Sequence, residues 1–366
     1  MSEWKECKLG DLVSLEYGKS LSDYRESNGQ YAVYGTNGKI GQTDSFLSPI
    51  PSIIIGRKGA YRGVHFSKHP FYVIDTAFYV KPKANNLDLV FLYNFLLMQD
   101  INAMDSGSAI PSTDRFEIYD IDILLPPIPE QRAIAGVLSS LDDKIDLLHR
   151  QNKTLEGMAE ALWRKMFVEE ADPGWKKGKL EDVAEINPLR SIKKGTIAAY
   201  LDMSNMPTNG PFPKEWVQRE FTSGIKFKNG DTIIARITPC LENGKTAYVN
   251  FLDNEEIAWG STEYIVLAPK TGYCSEWNYF LARNDDFRDF AIQNMTGTSG
   301  RQRVSGDSIA QYEIAIPTMN ISERFRTFAG PVMEHIRQNS FQIRTLRRLR
   351  DTLLPKLMSG EVRVTA

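Results

Sequence analysis

The chain has 366 residues, 42% of them hydrophobic and 25% charged, and a formal net charge of −2 at pH 7. That length suggests two or three folded units. The composition excludes disordered and fibrous classes, and no apolar run is long enough to span a membrane. The charged start MSEWKECKLG has no signal-peptide core, and three scattered cysteines, Cys7, Cys240 and Cys274, fit a reducing compartment, so a cytoplasmic location is expected. Residues 317–366 hold nine basic against four acidic side chains, so any basic surface must be local.

In chain order, EWKECKLGDL (Glu3–Leu12) leads into short β-branched and aromatic runs bounded by Gly, Asn and Pro, which predict strands, with a helical stretch near Leu89–Gln99. Asn, Lys and Arg in Gly- or Ser-containing loops after strand-like runs are candidate functional residues. In this half they are Asn37 and Lys39 in YGTNGKIG, Arg57, Lys58 and Arg62 in GRKGAYRG, and Arg115 in SAIPSTDRF. Pro126, Pro127 and Pro129 then end one unit and launch another, because proline fixes φ and lacks an N–H. From Ile134 onward, Leu141, Leu148, Leu155 and Leu162 alternate with Leu138, Ile145, Asn152, Ala159 and Met166, an a/d heptad. So narrow a stripe suits a partner helix better than a broad globular face.

GWKKGKLEDV (Gly174–Val183) then repeats the opening segment at an offset of about 171, the feature to seek before any motif. IIGR (Ile54–Arg57) matches IIAR (Ile233–Arg236), DTAFYV (Asp75–Val80) resembles STEYIV (Ser261–Val266), and DILLP (Asp122–Pro126) resembles EIAIP (Glu313–Pro317). The offset drifts to about 191, as insertions in surface loops would cause. Candidates in this half are Lys193 and Lys194, Arg236, Lys245, and Arg301 with Arg303 in TSGRQRVSG, and a helical stretch is expected near Trp277–Ala291. After Pro317 a second, looser seam runs through Val332, Asn339, Leu346 and Leu353, with Ala329, Ile336, Ile343, Arg350 and Leu357, and Pro355 is expected to kink its last turn. Antiparallel pairing would bring Leu148 to Ile343, Leu155 to Ile336, Leu138 to Leu353, and Asn152 to Asn339 as the pair that fixes register. The expected fold is therefore α+β: two tandem domains, residues 1–128 and 171–318, with long helices at 129–170 and 319–366 forming an antiparallel coiled coil within a pseudo-twofold repeat.

Signals of catalysis fail one by one. YGKS (Tyr17–Ser20) and NGKT (Asn243–Thr246) lack the earlier glycine of a phosphate loop, and neither a dinucleotide fingerprint nor an Asn-Pro-Pro-aromatic methyltransferase motif is present. His65 and His69 have no third ligand at suitable spacing, His149 and His335 read as helix-surface residues, and no catalytic residue or metal is expected.

The segments LLPPIPEQRAIAGVLSSLDDKIDLLHRQNKTLEGMAEALWRKMF (Leu124–Phe167) and LLPKLMSGEVRV (Leu353–Val364), each following a variable domain, resemble the specificity subunit of a Type I DNA restriction-modification system over essentially the whole chain. The resemblance implies two target recognition domains, each reading one half of a bipartite double-stranded DNA site, with the loop candidates named above reaching phosphates and base edges. It implies paired helices that set the unread spacer and dock two modification methyltransferase subunits, with restriction translocase-nuclease subunits joining them. S-adenosylmethionine would sit in the methyltransferase subunits and ATP and Mg in the restriction subunit, none of them on this chain. The second proline motif keeps only Pro317 with Glu323 and Arg324, so the second helix would dock its partner more weakly. A coiled-coil scaffold that binds only proteins would share the duplication and the helices, and lack of salt-dependent DNA binding when assembled with partners would distinguish it.

Overall fold

The computed structural model describes residues 4–104, 111–253 and 255–364. The chain divides into two compact units: Met1–Lys144 with Leu346–Ala366, and Ile145–Thr345.

The first unit contains β1 (Lys5–Lys8), α1 (Leu9–Leu12), β2 (Val13–Tyr17), β3 (Tyr31–Gly35), β4 (Gly38–Thr43), β5 (Ser52–Gly56), β6 (Val64–Ser67), β7 (Phe71–Val73), β8 (Ala77–Pro82), α2 (Leu89–Leu97), α3 (Arg115–Tyr119) and β9 (Asp122–Leu125). Its main sheet has the order β2-β8-β5-β6, a smaller one the order β4-β3-β7, and β1 pairs with β9. The isoleucines of β5, SIIIG, are buried on both faces, which suits a β-branched central strand. Asp88 caps α2 by accepting from the N–H groups of Val90 and Phe91. The helix then lays Phe91, Leu92 and Leu96 against Ile53, Ile55, Phe78 and Val80 of the sheet. Each of these fully buried side chains stabilises the unit by roughly 1.5–3 kcal/mol relative to exposure.

A long helix, α4 (Ile128–Arg164), begins with Pro129 in its first turn, where an N–H would have no intrahelical partner. It ends in a π-turn at Lys165–Glu169.

The second unit contains β10 (Lys177–Lys179), α5 (Leu180–Val183), β11 (Ala184–Ile186), β12 (Ile197–Leu201), β13 (Val217–Glu220), β14 (Ile225–Phe227), β15 (Thr232–Ala235), β16 (Thr246–Tyr248), β17 (Ala258–Gly260), β18 (Tyr264–Pro269), α6 (Ser275–Arg283), α7 (Asp285–Gln293), α8 (Gly306–Ala310) and β19 (Glu313–Ala315), followed by a second long helix, α9 (Met319–Met358). The order β11-β18-β15-β16 repeats the main sheet, β13-β12-β17 repeats the small one with β14 added, and β10 pairs with β19. The parallel pairing of β3 with β7 recurs as β12 with β17.

Strand register corrects the sequence alignment at one place. Gly56 faces Ala77 and Ala235 faces Tyr264, so Glu263 corresponds to Thr76, not to Ala77 as the match of DTAFYV with STEYIV would have it. Hydrogen-bond pairing, which fixes which side chain faces which sheet surface, decides here over similarity. The helical stretch expected at Trp277–Ala291 is two helices, because Asn284 leaves the helical region (ψ 137°) and its side chain caps the second.

Both long helices cross the boundary between units, and within each unit they pair antiparallel. In the first unit, Arg350 Nη1 lies 2.8 Å from Asp142 Oδ1, and Leu138 shares a core with Leu353 and Leu357. Further along the chain, Arg363 bonds Glu130. In the second, the Asn339 amide donates to Asn152 Oδ1 at 2.9 Å, the rings of Phe167 and Phe325 stand 5.4 Å apart, and Leu155 shares a core with Ile336. Leu148 and Ile343 are buried. The helix α9 is continuous through Pro331 and Pro355. Its residues in the second unit also pack on that unit's sheet side, Phe341 against Phe212 and Arg344 over the Trp216 ring at 3.9 Å, so pairing and packing on the domain coexist.

Candidate nucleic-acid interface

In the first unit, the candidate residues gather where β5 ends. Gly56 lets the β3–β4 turn approach, since a Cβ there would lie 2.5 Å from the Thr36 carbonyl oxygen. The Thr36 hydroxyl donates to the carbonyls of Lys58 (2.6 Å) and Thr76 (2.9 Å), joining that turn to the loops after β5 and before β8. Asn37 and Lys39 are exposed at this turn. The Arg57 guanidinium lies 4.9 Å from the centre of the Tyr17 ring and 5.8 Å from that of Phe78. Arg115, the first residue of α3, approaches the same tyrosine at 5.4 Å, with Phe116 at 5.1 Å. Lys58 pairs with Asp75 at 3.5 Å. Cations held over rings keep N–H donors for a ligand while losing part of their rotamer freedom beforehand.

Arg62 departs from the expectation of an exposed loop cation. It is 3% exposed and turned inward, donating to the carbonyls of Asn102 (2.7 Å) and Ile101 (3.4 Å). Among the described residues its Nε and Nη1 have no hydrogen-bond partner. His65 lies close to Gly38 and Gly63, whose hydrogens leave room for its ring. Burial pushes its imidazole below the ordinary value, against a smaller opposing effect from the Thr36 backbone. Among the described residues no cluster of three or more His, Cys, Asp or Glu could hold a metal ion.

In the second unit, Arg236 follows β15 as Arg57 follows β5. Its N–H donates to the Glu263 carbonyl at 3.0 Å, as the Arg57 N–H does to Thr76 at 2.8 Å. The segment before the short helix returns to the same loop in both units: Thr113 N donates to Arg57 O and Val304 N to Arg236 O. Lys58 bridges Ser112 just as Ile237 bridges Arg303. Here the chemistry differs. The Glu263 carboxylate is gripped by Arg303, Nε at 2.9 Å and Nη2 at 2.6 Å, with Arg236 Nε 4.0 Å away. Arg301 is exposed, while Lys245 donates to the Met203 carbonyl at 2.6 Å. Lys193 and Lys194 are exposed before β12 and, among the described residues, make no side-chain contact with these arginines.

Sequence reasoning passed over Tyr17, Phe116 and Glu263, and also a second group in which Arg219 on β13 lies over Tyr200 (4.9 Å) and Trp259 (5.8 Å). Except for Phe116, which stands beside Arg115, their partners are distant in the chain, so no local pattern marks them.

The profile of the Type I restriction modification DNA specificity domain matches residues 1–157 and again 173–329, one copy for each repeat. The chain belongs to that family. Among specificity-domain proteins it is 25% identical over 308 residues to the Type I restriction enzyme MjaIX specificity subunit of Methanocaldococcus jannaschii, covering 75% of this chain and 69% of that relative. It is 22% identical to the HindI specificity subunit of Haemophilus influenzae, covering 80% and 81%, and 31% identical to the EcoAI specificity subunit of Escherichia coli over 42% of this chain and 27% of that one. The crystal structure of the Type I restriction-modification S subunit from M. genitalium shares the fold, with a TM-score of 0.69 at 16% identity over 97% of this chain and 96% of that one. Among the described residues no helix of this family member is long and apolar enough to cross a membrane.

Proposed function

We propose that this chain is the DNA-reading subunit of a Type I restriction-modification complex. Each of its two specificity domains reads one half of a bipartite duplex site, and the long helices set the unread spacer and dock methyltransferase subunits. The chain itself is non-catalytic. S-adenosylmethionine is bound by the two methyltransferase subunits, and ATP with Mg by the translocase-nuclease subunits that join for restriction.

The observation that carries this reading is the repeated placement of an arginine. Arg57 and Arg236 follow the matching strand of two sheets with the same order, and each loop is held by the segment before a matching short helix. Two equal positions for a phosphate- or base-seeking side chain suit a target with two halves. Sequencing of methylated bases in host DNA tests it. Methylation at one bipartite site should vanish when the gene is deleted and return with the gene, and an unchanged pattern would overturn the reading.

A further inference from the structure

The matched loops differ in chemistry. Where the first unit has Thr76 and Ser112, the second has Glu263 and Arg303. Arg303 donates from Nε to both carboxylate oxygens at 2.9 Å, from Nη2 to Oε1 at 2.6 Å, and from Nη1 to the Arg301 carbonyl at 3.0 Å. A guanidinium has five N–H groups. Among the described residues three are taken, leaving one on Nη1 and one on Nη2 of a side chain that is 39% exposed.

We infer that Arg303, held by Glu263, reads a guanine in the half-site of the second domain; this rests on the proposed function. N–H groups on two neighbouring nitrogens of one guanidinium match guanine O6 and N7 in the major groove, the commonest specific contact to a base pair. A pair of phosphate oxygens offers similar acceptors, but the Glu263 carboxylate compensates the arginine's charge and repels a second anion. Compensation weakens attraction for phosphate and leaves directional donors, which favours the base. Glu263 is then a positioning residue. Thr76 cannot play that part, so the two domains should read different half-sites.

The test selects bound duplexes from a randomised pool with the full-length chain, its Arg303→Lys variant and its Glu263→Gln variant, at several salt concentrations, after a thermal melt has shown the variants folded. Lysine keeps the charge but loses the planar fork. Arg303→Lys should leave the salt dependence unchanged while preference for one G·C pair in one half-site falls about tenfold to a hundredfold. Glu263→Gln should relax that same pair and no other. Undiminished preference at every pair in both variants, or a loss shared equally by all sequences as a phosphate contact would give, overturns the inference. A parent chain that selects no site at all overturns the proposed function and the inference with it.

Discussion

Tyr17 is 45% exposed, yet two guanidinium groups approach its ring, Arg57 at 4.9 Å and Arg115 at 5.4 Å. Removing the ring leaves Arg57 with Phe78 and Arg115 with Phe116 alone, so part of the ordering of both cations would then fall on the binding step. Tyr17→Ala should weaken binding to one half-site only, by about 5- to 30-fold at about 0.5–1 kcal/mol for each contact, and Tyr17→Phe should not. Duplexes with one half-site scrambled at a time would show it; equal losses on both halves would dissociate the ring from either. A second residue-scale expectation concerns acid. The Arg363 guanidinium, assisted by the Trp4 indole N–H, holds the Glu130 carboxyl below its ordinary 4.5, against the opposing effect of burial. A depressed carboxylate adds stability above its unfolded value and loses it as pH falls through the folded one. Glu130→Gln should therefore remove part of the stability lost below about pH 4.5, seen as a flatter dependence of denaturant midpoint on pH. An unchanged slope would show that the pair contributes nothing.

At the scale of elements, the seam between the long helices carries a polar layer. The Asn152 amide donates to Ser340 Oγ at 3.2 Å and accepts from Asn339, and Ser340 in turn donates to the Ile336 carbonyl. Asn339 is 4% exposed, so leaving it against an apolar partner should cost about 1–3 kcal/mol. Asn152→Leu and Asn339→Leu should each lower stability, and the double variant should lose less than the sum. Strictly additive losses would mean that the amides do not interact. The antiparallel seam, the repeated strands and the α+β class are legible in the sequence because each rests on local period: heptads, alternation, a recurring segment. What is not legible depends on residues distant in the chain. Arg62 looks like a loop cation until it meets Ile101 and Asn102, and Glu263 looks like a strand residue until Arg303, 40 positions on, closes on it. The slip at Asp75–Val80 against Ser261–Val266 has the same origin, since similarity alone does not carry strand register.

For the molecule as a whole, the proposed role of the helices as a spacer makes a quantitative claim. Seven residues inserted after Ile145 and seven after Thr345, facing points at the boundary between the units, keep the heptad and leave the two asparagines opposed, while lengthening each helix by about 10 Å. The preferred spacer should grow by roughly three base pairs at 3.4 Å each, and affinity should fall because the added pairs also rotate one half-site by about 100°. Selection from a library of spacer lengths measures both, and an optimum that stays put would show that the helices do not set the distance.

The division of the chain also has a meaning in time. The first unit needs Leu346–Ala366 as well as Met1–Lys144, whereas the second is one continuous stretch, Ile145–Thr345. At ribosomal rates of roughly 5–20 residues per second, the roughly 200 residues between the two parts take about 10–40 s to make. For that interval the nascent first unit lacks Leu357 and Met358, which are buried in its core, and Arg363, which pairs with Glu130. The usual order of birth is thus inverted: the part translated first is completed last, and a nonsense codon just after Thr345 would cripple the amino-terminal unit while sparing the one that precedes the stop.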